Sequence, residues 1–141
     1  MLMESRVEIL RGWPADGSRE RVQTIASGVT LVNGDFVTLD ASGNLIKTTA
    51  ATRVCGVVVR GNGDSGASAN TNKAVVVWGN YIARIDSTTF AAGAFVPGSP
   101  VAAAAGGLVA LSAGAVTDVG YVLDVVAASG TQTAHLTVCM F

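Results

Sequence analysis

Apolar residues come along this chain in short runs, each closed by a cluster of Gly, Asn, Ser or Asp. That rhythm predicts many short strands, as in a β-barrel or sandwich, and leaves little room for helices. Residues 29–32 and 35–40 flank the turn dipeptide Asn33-Gly34, so a strand is expected on either side of it. In the second run Phe36 and Thr38 share one face while Val37 and Leu39 share the other. Ala41-Ser42-Gly43-Asn44 predicts a tight turn into a strand over 45–49, which closes a hairpin. Residues 54–59 are apolar almost throughout, which places that strand centrally in a sheet. Gly56 inside it marks a bulge or a close approach of another group.

Residues 61–72 read as a mobile Gly, Ser and Asn loop, followed by a buried strand over 74–78. Gly79-Asn80 predicts a second hairpin into 81–86, where Ile82, Arg84 and Asp86 alternate with Tyr81, Ala83 and Ile85. From 88 to 112 the composition turns to Ala, Gly and Pro, with short strands expected at 94–96, 101–104 and 108–111. Two strands over 119–126 and 134–140, joined by a Ser129-Gly130 turn, follow; the last alternates His135, Thr137 and Cys139 with Leu136, Val138 and Met140. At the other end, Val7, Ile9 and Leu10 lie among charges in an extended segment cut off by Trp13-Pro14-Ala15-Asp16-Gly17. The expected organisation is an extended N-terminal arm over 1–20 and a single all-β domain over 21–141, a small barrel or sandwich.

Composition changes the picture in one respect. The 141 residues suit one domain, but only 13% are charged while half are hydrophobic; an ordinary soluble domain has about 25% charged residues. A surface covered by Ser, Thr, Asn, Ala and Gly loses few charges to desolvation when it meets a partner, so subunit or assembly contacts are expected. The net charge of −1 is scattered along the chain, and the sole basic cluster, Arg19 and Arg21 around Glu20, is too small to neutralise a polyphosphate backbone; no nucleic-acid partner is expected. Glu4, Arg6, Glu8 and Arg11 break up the N-terminus where a secretory signal would need an apolar run, so synthesis into the cytosol is expected. The weakly apolar stretch 101–116 falls short of the roughly 20 residues of a membrane helix, so no membrane span is expected. A reducing cytosol makes Cys55 and Cys139 two buried thiols in preference to a disulfide.

Four patterns suggest chemistry, and each has a simpler reading. Gly61-Asn62-Gly63-Asp64-Ser65-Gly66 matches the dinucleotide-binding glycine spacing, but a strand follows it where a phosphate-binding helix is needed. Gly63-Asp64-Ser65-Gly66 is similar to the nucleophile segment of chymotrypsin-like proteases, whose general base lies upstream; the one histidine here, His135, lies downstream. His135 and Cys139 stand four apart, about 13 Å along a strand, too far to share a metal. Of Asp35, Asp40, Asp86 and Asp118, three sit beside Gly, Ser or Thr at strand ends, and turn formation explains them better than paired-carboxylate catalysis. No catalytic, cofactor-binding or metal-binding residue is therefore expected, and no enzyme. Trp13, in the arm, is the foremost contact candidate, and Val7, Ile9, Leu10, Arg19 and Arg21 complete the expected interface; Trp78, at the end of an apolar strand, is expected in the core.

The run Gly34-Asp35-Phe36-Val37-Thr38-Leu39-Asp40-Ala41-Ser42-Gly43-Asn44-Leu45-Ile46-Lys47, followed by Cys55-Gly56-Val57-Val58-Val59, resembles the head decoration, or cement, proteins of tailed bacteriophages. The likeness extends over about residues 25–141 and includes the Ala/Gly-rich, charge-poor middle and the strand near the C-terminus. It implies a β-barrel or β-tulip-like body, frequently trimeric, that docks on the exterior of the virion and staples neighbouring copies of the major capsid protein. It further implies that the N-terminal arm lies over the shell, where strand addition supplies backbone hydrogen bonds. No cofactor is implied. The alternative is another phage structural or host-surface binding module, such as a tail or head-completion component.

Overall fold

The computed structural model describes residues 7–12, 20–50, 52, 55–64, 72–112, 118–130 and 133–141. Their strands are β1 (Val7–Gly12), β2 (Glu20–Thr24), β3 (Phe36–Leu39), β4 (Leu45–Lys47), β5 (Gly56–Arg60), β6 (Lys73–Val77), β7 (Tyr81–Asp86), β8 (Pro100–Ala104), β9 (Leu108–Leu111), β10 (Asp118–Val126) and β11 (His135–Met140). A six-stranded sheet has the order β1-β7-β11-β10-β8-β9 and a five-stranded sheet the order β2-β6-β5-β3-β4. All the strand pairings are antiparallel. Of the expected all-β architectures, then, the body is the sandwich and not a closed barrel.

Alternation along the strands decides what lies between the sheets. Phe36, Val57 and Val77 face inward from the five-stranded sheet and meet Ala83, Ile85, Val101, Val122, Leu136, Val138 and Met140 from the six-stranded one. Their neighbours Val37, Val58 and Val76 point the other way into a second cluster, roofed by Val29 and Leu31 of the β2–β3 connection. The five-stranded sheet is thus buried on both faces, which explains why β5 is apolar at successive positions instead of alternating. Each aliphatic or aromatic side chain so buried contributes about 1.5–3 kcal/mol.

Several expectations change. Residues 29–32 form no strand. Leu31 instead plugs the outer cluster, and its amide donates to Asn62 Oδ1 at 2.8 Å while its carbonyl accepts from Gly63 at 2.9 Å. These partners satisfy the backbone as a ladder would, so the apolar run lies as a roof. Residues 94–96 also form no strand: Val96 and Ser99 close a turn in which the Ser99 amide donates to the Val96 carbonyl at 2.9 Å. Gly79-Asn80 does turn the chain, with Gly79 at φ 79, but β6 and β7 lie in different sheets, so the link is a crossing of the sandwich and not a hairpin.

The N-terminal segment is likewise partly a component of the body. Residues 7–12 are the edge strand β1 against β7, and Val7 is buried in the core. Residues 1–6 and 13–19 of the expected arm lie outside the described residues. Glu20–Thr24, at the expected junction of arm and domain, is a full edge strand.

At the far side the sheets are tied by backbone. Phe36 N donates to Gly107 O at 2.9 Å and Thr48 Oγ1 to Ala104 O at 2.8 Å, which docks the β8–β9 turn onto β3 and β4. This side also protects its edges. Ala26 N donates to Leu45 O at 3.0 Å over β4, and Ala91 N donates to Val109 O at 2.9 Å over β9. The two other outer strands, β1 and β2, pair on one side only among the described residues.

Candidate docking surface

The expected interface residues divide among three environments. Val7 is 4% exposed and belongs to the core, because alternation along β1 turns it toward the facing sheet; it is not available as a contact residue. Ile9 is half-buried and packs against the same core. Leu10 lies at an irregularity in the β1–β7 register, with its side chain outside the described set. Trp13 and Arg19 also lie outside the described residues. Arg21 is exposed on β2.

β2 is an unusual edge. Natural sheets commonly blunt their outer strands with charge or cover them. Glu20 and Arg21 supply charge, yet the next residue, Val22, is 69% exposed, the most exposed large apolar residue described. It sits opposite half-buried Val75 on β6. On the opposite face of the strand, Gln23 accepts a hydrogen bond from Trp78 Nε1. Trp78 in turn lies over Gly56, where a Cβ would come within 2.9 Å of the indole. Gly56 therefore marks a close approach, as its place in the strand suggested, and Trp78 packs half-buried in the outer cluster.

The second apolar surface follows β10. β8 accompanies β10 only from Asp118 to Tyr121, and Val122 is met by Gly98 and Ser99. Beyond that point no described residue pairs with this side of the strand. The register against β11 shifts between Val122 and Asp124, which leaves Leu123 as the extra residue of a bulge. Tyr121, Leu123 and Val125 are all exposed, and the Phe141 ring stands 6.2 Å from that of Tyr121. Asp124 is exposed among them. Hydrogen bonding to Cys139, which sits opposite on β11, raises the Tyr121 phenol above its ordinary pKa. The adjacent apolar pair Val122-Leu123 breaks the alternation of β10 and is the sequence signal for this surface; our sequence reading passed over it.

The candidate chemical motifs resolve into turns and packing. Asp64 Oδ1 and Oδ2 both accept from Asn33 N at 3.0 Å, and Oδ2 accepts from Gly61 N at 2.6 Å. Asn62 Nδ2 donates to Val29 O at 3.1 Å. The first four residues of the loop expected to be mobile are therefore a bonded turn, and residues 65–71, including Ser65 and Gly66, lie outside the described residues. Asp40 Oδ1 accepts from Ser42 N and Asn44 N, and Asp86 Oδ1 from Thr88 N, all at 2.9 Å. Asp118 pairs with Ser112. Buried Asp35 accepts from Val32 N at 2.9 Å and faces Lys47 Nζ at 3.9 Å. Each carboxylate is thus committed within its own locality.

The cysteines are both free. Burial pushes the Cys55 thiol up to about 12. Cys139, expected buried as well, is instead half-buried on the outward face of β11 with His135, because strand alternation separates that face from Leu136 and Val138. No group of three or more His, Cys, Asp and Glu able to hold a metal occurs among the described residues. No described helix is long and apolar enough to cross a membrane. Comparison of the chain with protein-family models, with curated proteins and with solved structures finds no match in any of the three.

Proposed function

We propose that this protein is a structural component of a phage virion that decorates the capsid exterior and stabilises the shell by binding the major capsid protein. The observation that carries the reading is a domain of low charge that leaves Leu39, Val96 and Leu111 exposed and its outer strand β1 paired on one side only among the described residues. Such an edge recruits further strands through backbone hydrogen bonds, and the exposed apolar side chains add area. The sequence resemblance supplies the partner. Many weak copies arranged by symmetry multiply a modest contact into a large stabilisation of a shell, and no catalytic step is needed.

The test is co-sedimentation with capsids that lack the protein. Saturable binding at a fixed ratio per capsomer, with greater resistance of the shell to heat or chelation, is the expected result. The part played by the N-terminus is read by removing residues 1–6 only, since a cut through Glu20 would also remove β1 and its buried Val7. A folded sample that leaves capsids untouched sinks the reading and favours a tail or host-surface binding module.

A further inference from the structure

The two exposed apolar edges are complementary to each other. β2 presents Glu20, Arg21 and Val22 in succession, all exposed, along a side with no strand partner among the described residues. β10 presents Leu123, Asp124 and Val125, all exposed, along the half that β8 does not reach. Antiparallel alignment of these segments has one register that sets Arg21 opposite Asp124 and Val22 opposite Leu123. At these two positions charge meets opposite charge and apolar side chain meets apolar side chain, while Glu20 falls opposite Val125 at the end of the segment. Directly opposed residues are the pairs that stabilise a sheet. A shift by one residue would set Val22 against Asp124, so the pattern selects its register.

We infer that copies of this chain associate head to tail by strand addition, β2 of one copy pairing along Leu123–Val125 of the next. The occupant is a second copy of this chain because it supplies a segment of matching length, opposite charge and matching apolar position that has no strand partner among the described residues. The contact joins two different patches, so repetition generates a ring if the rotation closes. The inference deepens the self-association expected of a decoration protein and does not depend on capsid binding. Tyr121 and Phe141, in contact beside the pairing segment, extend the apolar area that the next copy covers.

The experiment is the mass of the full chain in solution by light scattering over a range of concentrations, with no capsid present. The expected wild-type mass is a small whole multiple of the 14.2 kDa chain. Val22→Asp and Leu123→Asp each place a charge on the pairing line, and Arg21→Glu and Asp124→Arg each set like charges face to face. Each is expected to weaken association by roughly a hundredfold or more. The double exchange, Arg21→Glu with Asp124→Arg, restores it. All four positions are exposed, so circular dichroism and the thermal transition report an unchanged fold. A wild-type monomer at the highest soluble concentration overturns the inference. So do single variants that keep the wild-type mass, or a double exchange that stays dissociated. Capsid co-sedimentation of the same variants reads the proposed function separately.

Discussion

The backbone amide of Asn33 donates to both carboxylate oxygens of Asp64, at 3.0 Å each. The Asn33 side chain continues the link, accepting from Val7 N at 3.3 Å and donating to Val59 O at 2.8 Å. One residue of the β2–β3 connection thus holds β1 of the six-stranded sheet, β5 of the five-stranded sheet and the turn after β5. This clamp fastens the side of the sandwich opposite the Thr48 tie.

Asp64→Ala leaves the amides of Asn33 and Gly61 without their acceptor. Loss of charge-assisted bonds to partly buried donors is expected to cost about 2–4 kcal/mol in urea unfolding. Asp64→Asn keeps one acceptor oxygen and loses less. Equal stability of the alanine variant and the wild type would show that water replaces the carboxylate without penalty.

Gly61→Ala tests a close approach, not a turn conformation. A Cβ at Gly61 would lie 2.0 Å from the Leu31 carbonyl oxygen, which is backbone and cannot swing aside. A loss of about 3 kcal/mol or more is expected. At Gly43 the demand is the reverse, φ +81 with nothing within 4 Å, so Gly43→Ala is expected to cost only about 1–2 kcal/mol. The order of the two melting temperatures decides the matter.

Tyr81 is 2% exposed, and its hydroxyl has no hydrogen-bond partner among the described residues. Tyr81→Phe removes a desolvated polar group and keeps the ring, so a gain of about 1 kcal/mol is expected. A loss of stability, read by thermal or urea unfolding, would reveal a buried water serving that oxygen.

Alkali should unfold the protein through Cys55. Its thiol has a pKa of about 12 in the fold against an ordinary 9.0, so the folded state holds the proton more tightly. Stability from this group is complete below pH 9 and falls by about 1.4 kcal/mol per pH unit as pH rises toward the folded value. Burial of Tyr81 acts in the same direction above its ordinary 10.0. Cys55→Ala is expected to remove the part of the decline that begins near pH 9. A thiol reagent at mild pH should modify Cys139 in the native protein and Cys55 only after unfolding.

Local pairings were legible in the sequence. The β3–β4, β8–β9 and β10–β11 pairs each join neighbours through a short connection, and Asp40 and Gly43 show the first turn plainly. What depended on distant contacts was not. Residues 29–32 have the residue types of a strand, but Asn62 and Gly63 claim the backbone of Leu31. Gly79-Asn80 marks a turn without saying whether the chain returns to the same sheet. Of the expected interface residues, Arg21 shows its exposure through its charge, whereas the apolar character of Val7 is shared by core and contact residues alike. Val22 and Leu123 look like ordinary strand residues until it is known that, among the described residues, none pairs with the outer side of β2 or with β10 on the β8 side beyond Val122.

The order of strands carries a consequence for how the molecule forms during synthesis. β2 to β6 make up the whole five-stranded sheet, and their last residue is Val77; β7 to β11 follow as an unbroken set in the other sheet. One layer can therefore assemble while the second is still being made. β1 is the exception, translated first but paired with β7, whose first residue is Tyr81. Closing so long a loop is slow. The emerging chain must then keep an apolar strand unpaired until its partner leaves the ribosome, a period in which chaperone capture or mispairing competes with folding.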